Sequence, residues 1–372
     1  MKRFRIRMKR VSLRPVIGSS SHQLTRKLLP FLLASAALAM EVSGAGRLAP
    51  TGARPDASAT RPTAQFEALP LVRSRQNHLL VRAMINGKQA WLGVDSGAPV
   101  SAIAVQRRDY FRLKAVPAGT DLPPRVMING TFNNVAIARN FRLGALNLND
   151  VPVVTLDLGS SRRAGRILEE QQIDGILGAD ILFPTKAVLD CQRQLLVLNM
   201  FPELGGRAPG IDLRGLRAIP IHVSQGDNLY VDAAINGSPA RLMVDTGAFA
   251  TLLHRPFVRQ MRIPMRETPY GSAAVNLKQR GVHVARIRKL SVGSVDMIGK
   301  DVGVIDLEGL IRGGLLQGSP PVAGLLGAEI LKRHNGIIDF GTRTLYLRRE
   351  SSSPGPGPRR RPGRQPVGPP TG

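Results

Sequence analysis

The sequence predicts an all-β protein made of two copies of one lobe, and three observations carry that reading. An Asp-Ser/Thr-Gly turn closes a short apolar run twice, at Asp95-Ser96-Gly97 and at Asp245-Thr246-Gly247, 150 positions apart. Each turn is followed by an apolar stretch with paired glycines, Gly175-Ile176-Leu177-Gly178 and Gly324-Leu325-Leu326-Gly327, whose second glycine lies 83 or 82 positions after the aspartate. The apolar segments between them are short and punctuated by Gly, Pro and Asn, as strands are. A lone Asp-Thr-Gly would say little, because turns favour those residues for their own reasons. Repetition at a constant offset says much more, since it sets the architecture before any local reading.

In chain order, residues 1–45 open with dense Lys and Arg and then run apolar through residues 28–40. Thirteen residues containing Pro30 are too few to span a bilayer but suit a secretory signal, with Ser43-Gly44-Ala45 offering small side chains for cleavage after Ala45. Export to the periplasm or medium is expected; the alternative is an uncleaved membrane anchor. Residues 46–65, rich in Ala, Pro, Arg and Thr, read as a disordered lead-in. The first lobe is expected over 66–200. It begins with a hairpin, strand 79–85, turn Asn86-Gly87 and strand 90–94, because Asn-Gly supplies the positive φ angles a two-residue turn demands. The second lobe, expected over 215–349, repeats this with strand 229–235, turn Asn236-Gly237 and strand 240–244.

Further strands fall at 135–137, 141–144 and 151–154 in the first lobe, and at 282–284, 290–293 and 302–305 in the second. Only 179–183 and 328–334 read as short helices, with Asp180 and Glu329 favouring their positive ends. Asp190 and Asp339 precede the last strand of each lobe and read as turn residues. Residues 201–214, with Pro202, Gly205-Gly206, Pro209 and Gly210, separate the lobes. Residues 350–372 form a Pro/Gly/Arg tail with nothing to bury, expected to be disordered.

The chain has 372 residues and a net charge of +26, enough length for two moderate domains and a strongly basic surface. Part of that charge sits at the ends: residues 1–45 hold nine Lys/Arg against Glu41, and residues 351–372 hold four Arg and no acid. These basic segments offer a peripheral contact to anionic membranes. The remaining Arg residues are scattered, without a basic helix or zinc-ligand spacing, and aromatics are only 4% of the chain, so a nucleic-acid partner is not expected. Cys191 is the single cysteine, which excludes an intrachain disulfide. His78, His222, His254, His283 and His334 lack His-Glu-x-x-His or similar spacing, so no metal is expected. No glycine-rich phosphate loop appears either, and no cofactor is called for. A monomer is expected.

Two carboxylates delivered by equivalent turns of equivalent lobes can meet at a pseudo-twofold axis. At hydrogen-bonding distance both cannot ionise, so one becomes an acid and the other a base. At these residues the chain resembles the aspartic peptidases, the pepsin and retropepsin superfamily, and among them the exported bacterial retropepsin-like proteins with both lobes on one chain. The resemblance covers roughly 66–349. It implies the bilobal acid protease fold, with Asp95 and Asp245 as the catalytic dyad and a cleft that takes a peptide in extended conformation. It also implies that Ser96 and Thr246 brace the two loops while Gly97 and Gly247 permit the tight turn. Candidates for a substrate-covering flap are Gly119 with Thr120, and Tyr270-Gly271-Ser272. Ala98 and Ala248 depart from pepsin-like motifs, which usually place a hydroxyl there; its loss predicts a less acidic optimum than pepsin's. The alternative to an endopeptidase is a catalytically silent peptide-binding protein on the same fold.

Overall fold

The computed structural model describes residues 64–116, 120, 134–158, 173–224, 227–268, 272–274, 277–279, 282–308 and 322–349. The expected signal segment, the lead-in up to residue 63, the tail, and the flap candidates Gly119, Tyr270 and Gly271 lie outside them.

The first half runs β1 (Phe66–Pro70), β2 (Val72–Arg73), β3 (Leu79–Ile85), β4 (Lys88–Val94), β5 (Ala102–Ala104), β6 (Lys114–Ala115), β7 (Val135–Leu143), β8 (Leu146–Leu156), β9 (Gly175–Leu177), α1 (Ala179–Leu182), β10 (Val188–Asp190) and β11 (Leu195–Asn199). The second runs β12 (Leu216–Pro220), β13 (His222–Val223), β14 (Leu229–Ile235), β15 (Ser238–Val244), β16 (Leu252–His254), α2 (Arg255–Gln260), β17 (Met265–Glu267), β18 (Ser272–Ala274), β19 (Leu277–Gln279), β20 (His283–Val292), β21 (Val295–Ile305), β22 (Val322–Leu326), α3 (Ala328–Arg333), β23 (Ile337–Asp339) and β24 (Thr344–Arg348). The molecule is mostly β with a few short helices, and each lobe is one sheet of identical plan.

In the first lobe the order is β2-β3-β4-β9-β5-β8-β7-β6, and a further β3–β7 pairing closes six of these strands into a barrel. In the second it is β13-β14-β15-β22-β16-β21-β20-β17, closed by β14–β20. Closure removes most free edges. Both hairpin turns have positive φ at each residue, 49° and 77° at Asn86-Gly87 and 52° and 91° at Asn236-Gly237, the geometry that matches strand twist. The barrels fill with Leu, Ile and Val: Ile85, Leu92, Leu143 and Leu177 on one side, and Leu229, Ile235, Leu242 and Leu326 on the other, are fully buried.

A third sheet, β1-β11-β10-β23-β24-β12, draws three strands from each half and joins them at β10–β23, where Leu189 pairs with Ile338. Its outer strands β1 and β12 lie far in sequence from their partners β11 and β24. Hydrophobic alternation gives a strand's existence but not its partner, so this seam was invisible in the sequence.

The helices need one correction. Besides the two expected, Arg255–Gln260 is helical, with Pro256 in its first turn and only Val258 buried. Six residues give no period to read, although Pro pre-sets the φ a first turn needs. Asp180 and Glu329 stand in the first turns of α1 and α3, as expected, and their carboxylates also meet side chains. Ser101 Oγ donates to Asp180 Oδ1 at 2.8 Å, and Lys300 pairs with Glu329 at 3.2 Å. Asp190 and Asp339 do serve turns, accepting from Arg193 N and Thr342 N, each at 2.9 Å.

Candidate active site

Each acidic loop hangs from the end of a parallel strand pair, β4–β9 or β15–β22, in otherwise largely antiparallel sheets. Parallel pairing aligns the C-terminal ends of both strands, so the loop leaving β4 lies beside the exit of β9. Asp95 N donates to Leu177 O at 3.0 Å, and Asp245 N donates to Leu326 O at 3.0 Å. The paired glycines explain themselves here. A Cβ on Gly175 would strike Ala102 O and one on Gly178 would strike Val100; Gly324 and Gly327 face Leu252 O and Ala250 in the same way. Only glycine lets the β9 and β22 segments pass so close behind the acidic loops.

Within each loop the carboxylate turns back on the backbone. Gly97 N donates to Asp95 Oδ1 at 2.9 Å; Gly247 N and Ala248 N both donate to Asp245 Oδ1 at 2.9 Å. The two loops then lock across the seam through four bonds. Ser96 N donates to Thr246 Oγ1 at 3.0 Å and Thr246 N to Ser96 Oγ at 3.1 Å, while Ser96 Oγ donates to Val244 O at 2.8 Å and Thr246 Oγ1 to Val94 O at 2.6 Å. Each hydroxyl thus accepts from the opposite loop and donates to the opposite strand.

That lock brings Asp95 and Asp245 together, at 3% and 0% exposure. Gly247 packs so tightly on the Asp95 carboxylate that a Cβ there would overlap its oxygens. Burial first, and then the charge of Asp245, hold the Asp95 carboxyl well above the usual carboxylate range. Hydrogen bonds from the Gly97 and Ala98 amides oppose this in part, and a carboxyl–carboxyl hydrogen bond to Asp245 adds to it. Two acids so close and so buried are coupled, and protonation of one favours ionisation of the other.

Ala98 and Ala248 are buried at 1% and 0%, and the amide of Ala248 supplies a donor to its aspartate where a side-chain hydroxyl is lacking. Of the residues offered as flap candidates, Ser272 lies in β18, which pairs with β19 as a separate two-stranded sheet, Ser272 opposite Gln279.

Two contributors were missed. His78, set aside among histidines without metal spacing, is 4% exposed, and its Nε2 lies 3.1 Å from Gly247 O, across the seam. Asp174, just ahead of the first paired glycine, accepts from Trp91 N at 2.9 Å and lies 2.6 Å from Arg107 Nε, the Arg107 and Asp174 side chains being 11% and 6% exposed. The Arg107–Asp174 contact is a charge pair rather than an aligned hydrogen bond, since neither atom finds a partner of good geometry. The register between copies could have flagged both, because His78 matches Asn228 and Asp174 matches Ala323. Spacing could not reveal the grouping of His254, Asp306 and Glu308, whose ligating atoms lie within 4.8 Å of one another. The Nδ1 of His254 already accepts from Leu307 N at 3.1 Å, which occupies that lone pair.

A family model described as aspartyl protease matches residues 81–181 and again residues 231–330. Among similar solved structures, the aspartic proteinase from Irpex lacteus is 12% identical with a TM-score of 0.39, over 76% of this chain and 97% of that one. The retropepsin-like aspartic protease from Rickettsia conorii is 19% identical with a TM-score of 0.27, over 36% of this chain and 90% of that one. No curated protein matches the chain.

Proposed function

The chain belongs to the aspartyl protease family, carrying two copies of its model, and on that premise we propose that it is an endopeptidase that cleaves extended peptides with water activated between Asp95 and Asp245. The observation that carries this reading is the buried carboxyl pair at the seam, where burial and its partner's charge hold the Asp95 carboxyl well above the usual carboxylate range. A water bridging such a pair loses a proton to the ionised carboxylate as it attacks the scissile carbonyl. The protonated partner meanwhile donates to the carbonyl oxygen, and the proton then passes to the leaving amine. No covalent intermediate forms. The Ser96–Thr246 lock fixes the relative position of the two acids, which is what orientation contributes to the rate.

The full chain incubated with a random peptide library across pH tests this. Cleavage should appear and fall roughly 10³-fold in either Asp95→Asn or Asp245→Asn, the scale of a lost general acid or base. A wild type that binds peptides without cleaving any would make it a silent binding protein instead. The basic, then apolar, then small-residue order of residues 1–45 supports export of this enzyme. Sequencing the N-terminus of the mature protein checks that, with a start after Ala45 expected and an intact residue 1–45 segment contradicting it.

A further inference from the structure

The two lobes carry the same small loop just before the strand that leads into the hairpin, and one copy ends in a histidine. In the first lobe Ser74 N donates to His78 O at 2.9 Å and His78 N to Ser74 Oγ at 3.1 Å, with Asn77 at a left-handed φ of 67°. In the second, Ser224 N donates to Asn228 O at 3.0 Å and Asn228 N to Ser224 Oγ at 3.2 Å, with Asp227 at 58°. The backbones agree; the side chains diverge. Asn228 turns its Nδ2 back to Ser224 Oγ at 3.3 Å, and its buried Oδ1 has no hydrogen-bond partner among the described residues. His78 instead crosses to the other lobe and meets Gly247 O.

A carbonyl oxygen only accepts, so Nε2 carries the proton in this bond. The imidazole is held in place from behind. Ser74 Oγ lies 3.4 Å from Nδ1, and Arg73 clamps the loop by donating to Asn77 Oδ1 at 2.8 Å and to the carbonyl of Cys191. The acceptor is well placed too. Gly247 O belongs to the peptide unit whose N–H is that of Ala248, and Ala248 N donates to Asp245 Oδ1 at 2.9 Å. A hydrogen bond on the oxygen of an amide polarises its N–H, so a chain of such bonds strengthens the last one. His78 of one lobe therefore acts, through one peptide, on the aspartate of the other.

We propose that His78 is a positioning residue which, through the Gly247–Ala248 peptide, favours the ionised form of Asp245 and so makes Asp245 the base and Asp95 the acid. This rests on the endopeptidase reading for its consequence but not for its measurement. Asn228 supplies no matching contact to the first loop, so the pseudo-twofold symmetry of the pair is broken at this point. Among the described residues the charge acting on the Asp95 carboxyl is that of Asp245.

Two variants of the full chain test it. His78→Asn copies what Asn228 already does in the same loop, so it should fold, yet it is too short to reach Gly247 O. His78→Gln keeps an N–H at a reach similar to Nε2. Carboxyl titration by ¹³C NMR of aspartate-labelled protein, assigned with Asp95→Asn and Asp245→Asn, reads the pair without any need for activity. In His78→Asn the lower apparent pKa of the pair should rise by about half a unit, the worth of one modest hydrogen bond, and His78→Gln should restore it. In peptide cleavage kcat should fall roughly fivefold to tenfold in His78→Asn with KM changed less than about twofold, the mark of a loss felt in the transition state. A titration of His78→Asn that superimposes on the wild type, or a His78→Gln no better than His78→Asn, would overturn the proposal. A wild type that cleaves nothing would refute the endopeptidase while the titration still decides the role of His78.

Discussion

The two lobes present their aspartates from one backbone plan but support that plan with different chemistry. Behind the first loop, Arg107 is stacked 3.8 Å above the ring of Tyr110 and pairs with the buried Asp174. At the matching places of the second lobe stand Phe257, packed on the core, and Ala323, fully buried. The second lobe shows that the frame needs no charge there, only filled volume. The seam behaves oppositely: Ser96 and Thr246 bond with the same pattern from both sides, and the glycines behind each loop meet the same backbone obstacles. Scaffold positions thus tolerate exchange of chemistry, whereas the parts that fix the two carboxyls do not.

The largest effect should come from unbalancing that charge pair. Asp174→Ala leaves the largely covered Arg107 without its counter-charge and should cost about 3 kcal/mol, read by urea denaturation. Adding Arg107→Phe transplants the second lobe's solution and should recover most of that loss. If the double variant is as unstable as the single, the lobes are less interchangeable than their backbones suggest.

Next come the cross-seam hydroxyls. Ser96→Ala and Thr246→Ala each strand a buried N–H and a buried C=O, so each should lose roughly 2–3 kcal/mol, and the two losses should agree within about 1 kcal/mol because the bonding is symmetric. Unequal losses would break the comparison.

A smaller effect follows from the charge state of the pair. The carboxyl of Asp95 titrates above its unfolded value, near 3.8. The stability it contributes is therefore complete below about pH 4 and is lost as pH rises through the folded value. Asp95→Asn, which cannot ionise, should raise Tm by a few degrees at neutral pH, and the gain should vanish towards pH 4 in scanning calorimetry. A Tm gain that persists unchanged into acid would mean the pair is not strained by charge.

The smallest effect concerns Ala98 and Ala248. Introducing a hydroxyl as Ala98→Ser or Ala248→Ser adds a donor to the ionised form and should shift the acid limb of kcat/KM down by less than about one pH unit. An upward shift would show that the hydroxyl cannot reach the carboxylate from these closely packed sites.

How much of this was legible follows from what is local in a chain. The duplication was plain because Asp95 and Asp245, the two Asn-Gly turns and the two glycine pairs recur in register, and a period-2 pattern with turn residues marks a strand by itself. Arg255–Gln260 was not, since six residues hold no period and Pro256 alone is an ambiguous signal. The seam sheet and the Arg107–Asp174 pair escaped because a strand or a charge does not name its partner 67 or more residues away. His78 escaped for a subtler reason. The His78/Asn228 mismatch between copies marks the position, but its bond lies to a backbone carbonyl in the other copy, and a backbone acceptor does not name itself in residue identity.

The central claim is that Asp95 and Asp245 hold a single proton between them across the seam. Neutron diffraction from deuterium-exchanged crystals grown at mildly acidic pH tests it most directly. One deuteron shared between, or bound at one of, the facing carboxyl oxygens is the predicted result; two bare carboxylates, or a deuteron on each, would contradict it.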